Sequence, residues 1–207
     1  MSFFGRLIGG VAPHSRWLAA MLAVVALFAV GWGVYQLIEN RGDREAANAF
    51  EPFVKADIDQ DKADPNKTLS DLDAFLAKYR ASSLAPRAYL LKGKTLMRAG
   101  KYPEALEAYQ SADKGWPRPF SYIAREGRGD ALMELKRFPE AEAVFKALSD
   151  AKDDPLRAEH LWKLGLVQEA GQHPDRALVS YRSFESLHPS SPLLEKVRSR
   201  IAMLQKK

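Results

Sequence analysis

The chain contains no cysteine. Disulfides, thiolate-held zinc, iron–sulfur clusters and thiol nucleophiles are therefore excluded, as is lipid attachment through an N-terminal cysteine. Histidine is scarce: His14, His160, His173 and His188 show no metal-ligand spacing, and His160 follows Glu159 directly, on a different part of any helix surface. No glycine-rich phosphate loop and no nucleophile elbow occur. The sequence reads as a non-enzyme that uses no metal, cofactor or small-molecule substrate. Acidic residues are absent before Glu39, where only Arg6 and Arg16 are charged. The rest of the chain then holds 29 basic against 26 acidic residues out of the total 31 and 26. That is a mixed surface, without the one-signed stripe that nucleic-acid binding requires.

What is present begins with one long apolar run. Trp17 to Ile38 is 22 residues without a charge. As a helix it would measure about 33 Å, against a hydrocarbon core of about 30 Å. Trp17 at one end and Trp32 and Tyr35 near the other suit the aromatic belts of a bilayer. A cleaved signal peptide would have a shorter apolar core and a small-residue cleavage site, where this chain has Gly31-Trp32-Gly33-Val34-Tyr35. The run is read as an uncleaved signal anchor, with residues 1–16 a short cytoplasmic tail. Arg6 and Arg16 before it lean the orientation toward the N-terminus inside. In a bacterium that places the remainder in the periplasm, anchored in the inner membrane.

Beyond the anchor, residues 39–85 read as juxtamembrane helices. Ala46, Ala49, Phe50, Phe53 and Val54 form a helical stripe interrupted by Pro52. Asp57 to Lys67 is a charged loop that lacks the glycine and closing glutamate of a calcium-binding loop. Thr68 is expected to cap the next helix, with Asp71 three residues on.

From Pro86 a register of 36 residues takes over. Gly93, Gly129 and Gly165 keep it, as do Ala105, Ala141 and Ala177, and Tyr109, Phe145 and Tyr181. Three position types in one register mean one structural unit built three times. The predicted helices are Pro86–Ala99 with Pro103–Lys114, Ser121–Leu135 with Pro139–Leu148, and Leu156–Ala170 with Pro174–Leu187. Pro192–Leu204, within residues 190–207, closes the array as a cap, because a terminal repeat cannot leave its apolar face open. Gly100 is expected to end its helix in the left-handed conformation. The third copy carries its turn glycine, Gly171, one residue early, and the second has Lys136 there.

These residues resemble the tetratricopeptide repeat, which asks for a glycine in the first helix, a glycine at the turn, then an aromatic, an alanine, an aromatic, a small residue and a proline. The first copy supplies Gly93, Gly100, Tyr102, Ala105, Tyr109, Ala112 and Pro117. The resemblance implies an all-α helical-hairpin solenoid of about three repeats over residues 86–189, with a degenerate leading pair and a capping helix, behind one transmembrane helix. It also implies a module that binds other proteins. The size, the single anchor and the stretch Arg128-Gly129-Asp130-Ala131-Leu132 are further similar to the ancillary SecYEG translocon subunit family, the YfgM-like proteins. That likeness implies translocon subunits or periplasmic chaperones as partners. A scaffold in a pilus or outer-membrane assembly machine, or a soluble periplasmic binding protein if the N-terminus is cleaved, remain open.

In the tetratricopeptide fold the first helix of each hairpin lines the concave face. Carried over from each repeat glycine, that face would expose Arg87, Leu90, Lys94 and Arg98 in the first repeat. The second would show Ile123, Glu126, Asp130 and Glu134, and the third Glu159, Trp162, Leu166 and Glu169. A basic patch would stand beside an acidic one, with Trp162 either an aromatic anchor or packed against the cap. Trp116-Pro117-Arg118-Pro119-Phe120 is a second candidate surface.

Overall fold

Proline and glycine punctuate the fold as the sequence suggests. A computed structural model describes residues 42–54, 64–115 and 121–206. The helices are α1 (residues 42–54), α2 (Pro65–Lys78), α3 (Ala85–Arg98), α4 (Tyr102–Gly115), α5 (Ser121–Glu134), α6 (Phe138–Asp150), α7 (Arg157–Ala170), α8 (Pro174–Leu187) and α9 (Leu194–Leu204). No strand occurs among the described residues. The apolar run 17–38, most of the aspartate-rich loop and the segment 116–120 lie outside them. Of the described helices, none is long and apolar enough to cross a membrane.

The three repeats are the hairpins α3–α4, α5–α6 and α7–α8. Their internal turns are the same length, residues 99–101, 135–137 and 171–173. The connections between hairpins, 116–120 and 151–156, are longer, so the residues beyond the usual repeat length sit there. Ala46–Lys207 form one compact unit.

The glycine–aromatic register has a direct steric cause. A Cβ built on Gly93 would stand 2.7 Å from the Tyr109 ring, and one on Gly129 2.6 Å from Phe145. Gly165 meets Tyr181 in the same way. In each hairpin the ring of the second helix therefore lies directly on the backbone of the first, and no side chain fits between them. Tyr109 is held from both sides, because a Cβ on Gly127 of the next hairpin would come within 2.5 Å of it. The alanines Ala105, Ala141 and Ala177 are fully buried beside these rings.

The turns keep the register in their backbone even where the glycine is missing. Gly100, Lys136 and Gln172, 36 residues apart, all have positive φ (70°, 57° and 63°). The following amides close the same helix-ending loop: Lys101 N–H donates to Leu96 O at 2.9 Å, Arg137 to Leu132 O at 2.9 Å and His173 to Gln168 O at 2.8 Å. The expectation that Gly171 is a shifted turn glycine is therefore corrected. Gly171 has φ −77°, and Gln172 takes the left-handed position.

The start of α2 also differs from expectation. Asp64 is the N-cap, its carboxylate accepting from Asn66 N–H at 2.9 Å, and Pro65 occupies the first turn. Thr68 lies inside the helix, its hydroxyl donating to Asp64 O at 3.0 Å. The Asp-Pro pair is a stronger start signal than the threonine, since proline fixes φ and needs no N–H partner there. Pro52 lies inside α1, whose helical run continues to residue 54.

Two apolar clusters fill the interior. Phe50, Phe53 and Phe75 form an aromatic group with ring centroids 5.3–5.8 Å apart under the leading pair α1–α2. The larger cluster runs through the three hairpins to Val197 of α9, with Leu193, Ile201 and Leu204 packed against it. The last helix thus acts as the predicted cap.

Candidate functional site

The first helices α3, α5 and α7 make one face of the array, and its charges are distributed differently from the sequence-based expectation. On α3, Arg87, Lys94 and Arg98 are exposed, as expected. Leu90 is not: it is 7% exposed and belongs to the core. Phe50, Phe53 and Val54 of α1 close over this end and, with Arg87, Leu90, Leu91 and Lys94, line a cleft of about 190 Å³. The Arg87 guanidinium lies 5.5 Å from the centre of the Phe50 ring. The groove at α3 is therefore an aromatic-floored notch with cations on its rim, a closure by α1 that a repeat pattern cannot foretell.

The acidic patch of α5 is present, and two of its carboxylates are engaged by one lysine. Lys163 Nζ on α7 lies 2.6 Å from Glu126 Oε1 and 2.7 Å from Asp130 Oδ2, joining two neighbouring hairpins. Behind it stands His160, fully buried. Its Nδ1 is 2.6 Å from the Asp154 carboxylate, also fully buried, and its Nε2 lies 3.5 Å from Glu126 Oε2. The other Asp154 oxygen accepts from Leu156 N–H at 2.8 Å, fixing the entry to α7. His160 of α7 thus faces the linker between repeats on one side and α5 on the other.

The electrostatics follow from this packing. Burial alone would raise the Glu126 carboxyl, but the close approach and charge of His160 and Lys163 outweigh it and hold the pKa at about 2. Burial pushes His160 down, and the neighbouring Glu126 and Asp154 carboxylates, the latter hydrogen-bonded to it, overturn that and leave it above the ordinary value. Lys163 is likewise raised despite burial, by Asp130 and Glu126. Asp130 moves upward because burial dominates over Lys163. Burial also raises the Tyr109 phenol.

Trp162 is half-buried, its ring 5.3 Å from Tyr181 of its own hairpin. It packs on its own hairpin and keeps part of its surface exposed. Leu166 and Glu159 are half-buried, and Ile123 is 37% exposed. Glu169 accepts from the Tyr181 hydroxyl at 2.6 Å and faces Arg200 of the cap at 3.6 Å. The second surface, 116–120, lies outside the described residues. Among the described residues, no group of three His, Cys, Asp or Glu side chains is placed to hold a metal ion.

The stretch Arg128–Leu132 divides its residues among three tasks. Gly129 receives Phe145, Asp130 pairs with Lys163, and Ala131 and Leu132 join the core. Arg128 points elsewhere, into a cleft on the opposite side of the array. Sequence reasoning missed both that cleft and the His160 cluster. The members of the cluster come from two helices and a linker, so no local spacing joins them.

Comparison with known proteins agrees with this architecture. A tetratricopeptide repeat family model matches residues 90–154 and 127–192. A tetratricopeptide repeat-like domain model matches residues 12–117. No curated protein matches the chain. Among solved structures, a tetratricopeptide repeat protein from Parabacteroides merdae is similar with a TM-score of 0.64 and 21% identity. That match covers 79% of this chain and 61% of the other, so this chain spans less than two thirds of its length. MamA from Desulfovibrio magneticus RS-1 is similar with a TM-score of 0.56 and 16% identity, covering 80% and 94%. A double mutant of MamA RS-1 gives 0.57 and 17%, covering 78% and 95%. These likenesses carry the fold. With half of the chain matched by the domain model and the three hairpins matched by the repeat model, the chain belongs to the tetratricopeptide repeat family.

Proposed function

We propose that the chain is a membrane-anchored protein–protein interaction module whose repeats face the periplasm, serving as an accessory to the Sec translocon and its periplasmic chaperones. The repeat fold supports the binding role, since such arrays present long surfaces and bind proteins as their usual work. One observation supports a place for that role: the notch at α3, with Phe50, Phe53 and Leu90 as its floor and Arg87 and Lys94 at its rim. A partner segment with apolar side chains and an acidic group fits the α3 end. For the anchor, support comes from the uncharged run 17–38 and from the domain match that starts at residue 12 and takes that run in.

The test is site-specific photocrosslinking in cells from position 94, with position 182 on the exposed side of α8 as control. Translocon subunits or periplasmic chaperones captured from 94 alone support the reading. Pilus or outer-membrane assembly components would replace it with a scaffold role, and an unreactive position 94 would remove the groove from consideration. Fractionation checks the anchor separately: mature chain beginning near Glu39 in the soluble fraction contradicts it.

A further inference from the structure

The second helices of the first two hairpins do not close against one another. Between α4 and α6, floored by α5, lies a cleft of about 610 Å³. Its walls are helical stripes two turns long: Leu106, Gln110 and Asp113 on α4, and Glu140, Ala143 and Ala147 on α6. The space therefore runs along the helix axes for about 10 Å. Leu106, Leu132 and Val144 are buried and make an apolar floor. Ala143 and Ala147, one turn apart and exposed, keep the α6 wall low.

The charges around this floor are matched except for one. Arg125 Nε donates to Asp113 at 2.9 Å. Arg137 donates to both oxygens of Glu140, each at 2.7 Å. Arg128, half-buried in the same cleft, makes no hydrogen bond or ion pair with any described residue. Glu140 feels its charge but is held on both oxygens by Arg137. What remains is an elongated apolar floor with one uncommitted guanidinium above it.

We propose that this cleft is a second docking site, which takes an acidic peptide segment of another protein. A carboxylate side chain of that segment forms the paired hydrogen bonds a guanidinium offers, and flanking apolar side chains rest on the exposed Ala143 and Ala147 above the buried floor. The volume is that of a ligand pocket, and its length suits a few residues of chain. A small inorganic anion would satisfy Arg128 and leave the floor bare. The site lies away from the α3 notch and does not depend on it.

The test uses the full-length chain in mild detergent and a fluorescein-labelled, end-blocked pentapeptide, Ala-Leu-Glu-Leu-Ala, read by fluorescence anisotropy. Saturable binding is expected, with the glutamine counterpart of the peptide weaker by about tenfold. Arg128→Ala should weaken the glutamate peptide by about the same factor and leave the glutamine peptide unchanged. Ala147→Phe should abolish both, and Lys94→Ala neither. Arg128→Gln serves as a second variant if the alanine form melts earlier. Absence of saturable binding up to about 1 mM overturns the proposal. So does an Arg128→Ala chain that binds like the parent, or binding lost in Lys94→Ala instead. Full displacement of the peptide by inorganic phosphate would reassign the cleft to small anions.

Discussion

Two seams cross the same repeat array and are filled in opposite ways. Where α5 meets α7, the gap is closed by charge: Lys163 bridges Glu126 and Asp130, with His160 and Asp154 buried behind. Where α4 faces α6, the gap stays open over Leu106, Leu132 and Val144. Packing positions are alike in both, because each hairpin repeats the same glycine, alanine and aromatic. The contrast comes from residues outside the register. A solenoid can therefore make one face rigid and keep another available while using one core.

The sharpest way to break this comparison is His160→Ala. It leaves the buried Asp154 carboxylate with only the Leu156 N–H as partner, which should cost about 3–4 kcal/mol. A urea titration measures it, and a loss below about 1 kcal/mol would mean the charged seam is decorative. Lys163→Met comes next. Its carboxylates keep some solvent (22% and 36% side-chain exposure), so the expected loss is smaller, about 1–2 kcal/mol.

The third test is pH. His160 is raised above its ordinary 6.5 in the folded state. Its contribution is complete below that value and is lost as pH rises through the elevated folded pKa. The thermal midpoint should thus fall between mildly acid and alkaline pH, and His160→Asn should flatten that slope. Glu126 works in reverse: depressed from 4.5 to about 2, it stabilises above 4.5 and its share disappears as pH falls toward 2. A midpoint that does not change from pH 6 to 9 would count against the histidine assignment.

The smallest effect belongs to the open seam. Arg128→Ala removes no described hydrogen bond or ion pair and should change stability by less than about 0.5 kcal/mol. A larger loss would show that Arg128 braces the fold, and the two seams would then differ less than the geometry indicates.

The core of this fold was legible before the structure because its rule is local and repeated. Gly93 must be glycine if Tyr109 is to lie on it, and the same pair recurs twice at the same spacing. What escaped were features without a local signature. Leu90 sits at a groove position, yet α1 folds over it. Lys136 and Gln172 adopt a glycine conformation without being glycine, held there by the hydrogen bonds that end their helices. The His160 cluster gathers side chains from α5, α7 and the linker between repeats, and Arg128 stays unpaired only because its neighbours choose each other.

The three left-handed residues at 100, 136 and 172 also have a meaning for growth of the chain. Cutting after one of them and copying the stretch from Arg137 to Gln172 yields a segment that begins and ends at the same joint. Inserted after Gln172, such a copy would lengthen the array by one hairpin and ask no new conformation of the backbone at the splice. The neighbouring surfaces, charged on one side and open on the other, would then move apart or repeat according to which residues the copy brings. Length and binding character are thus separable properties of this protein, adjustable by duplication for one and by point substitution for the other.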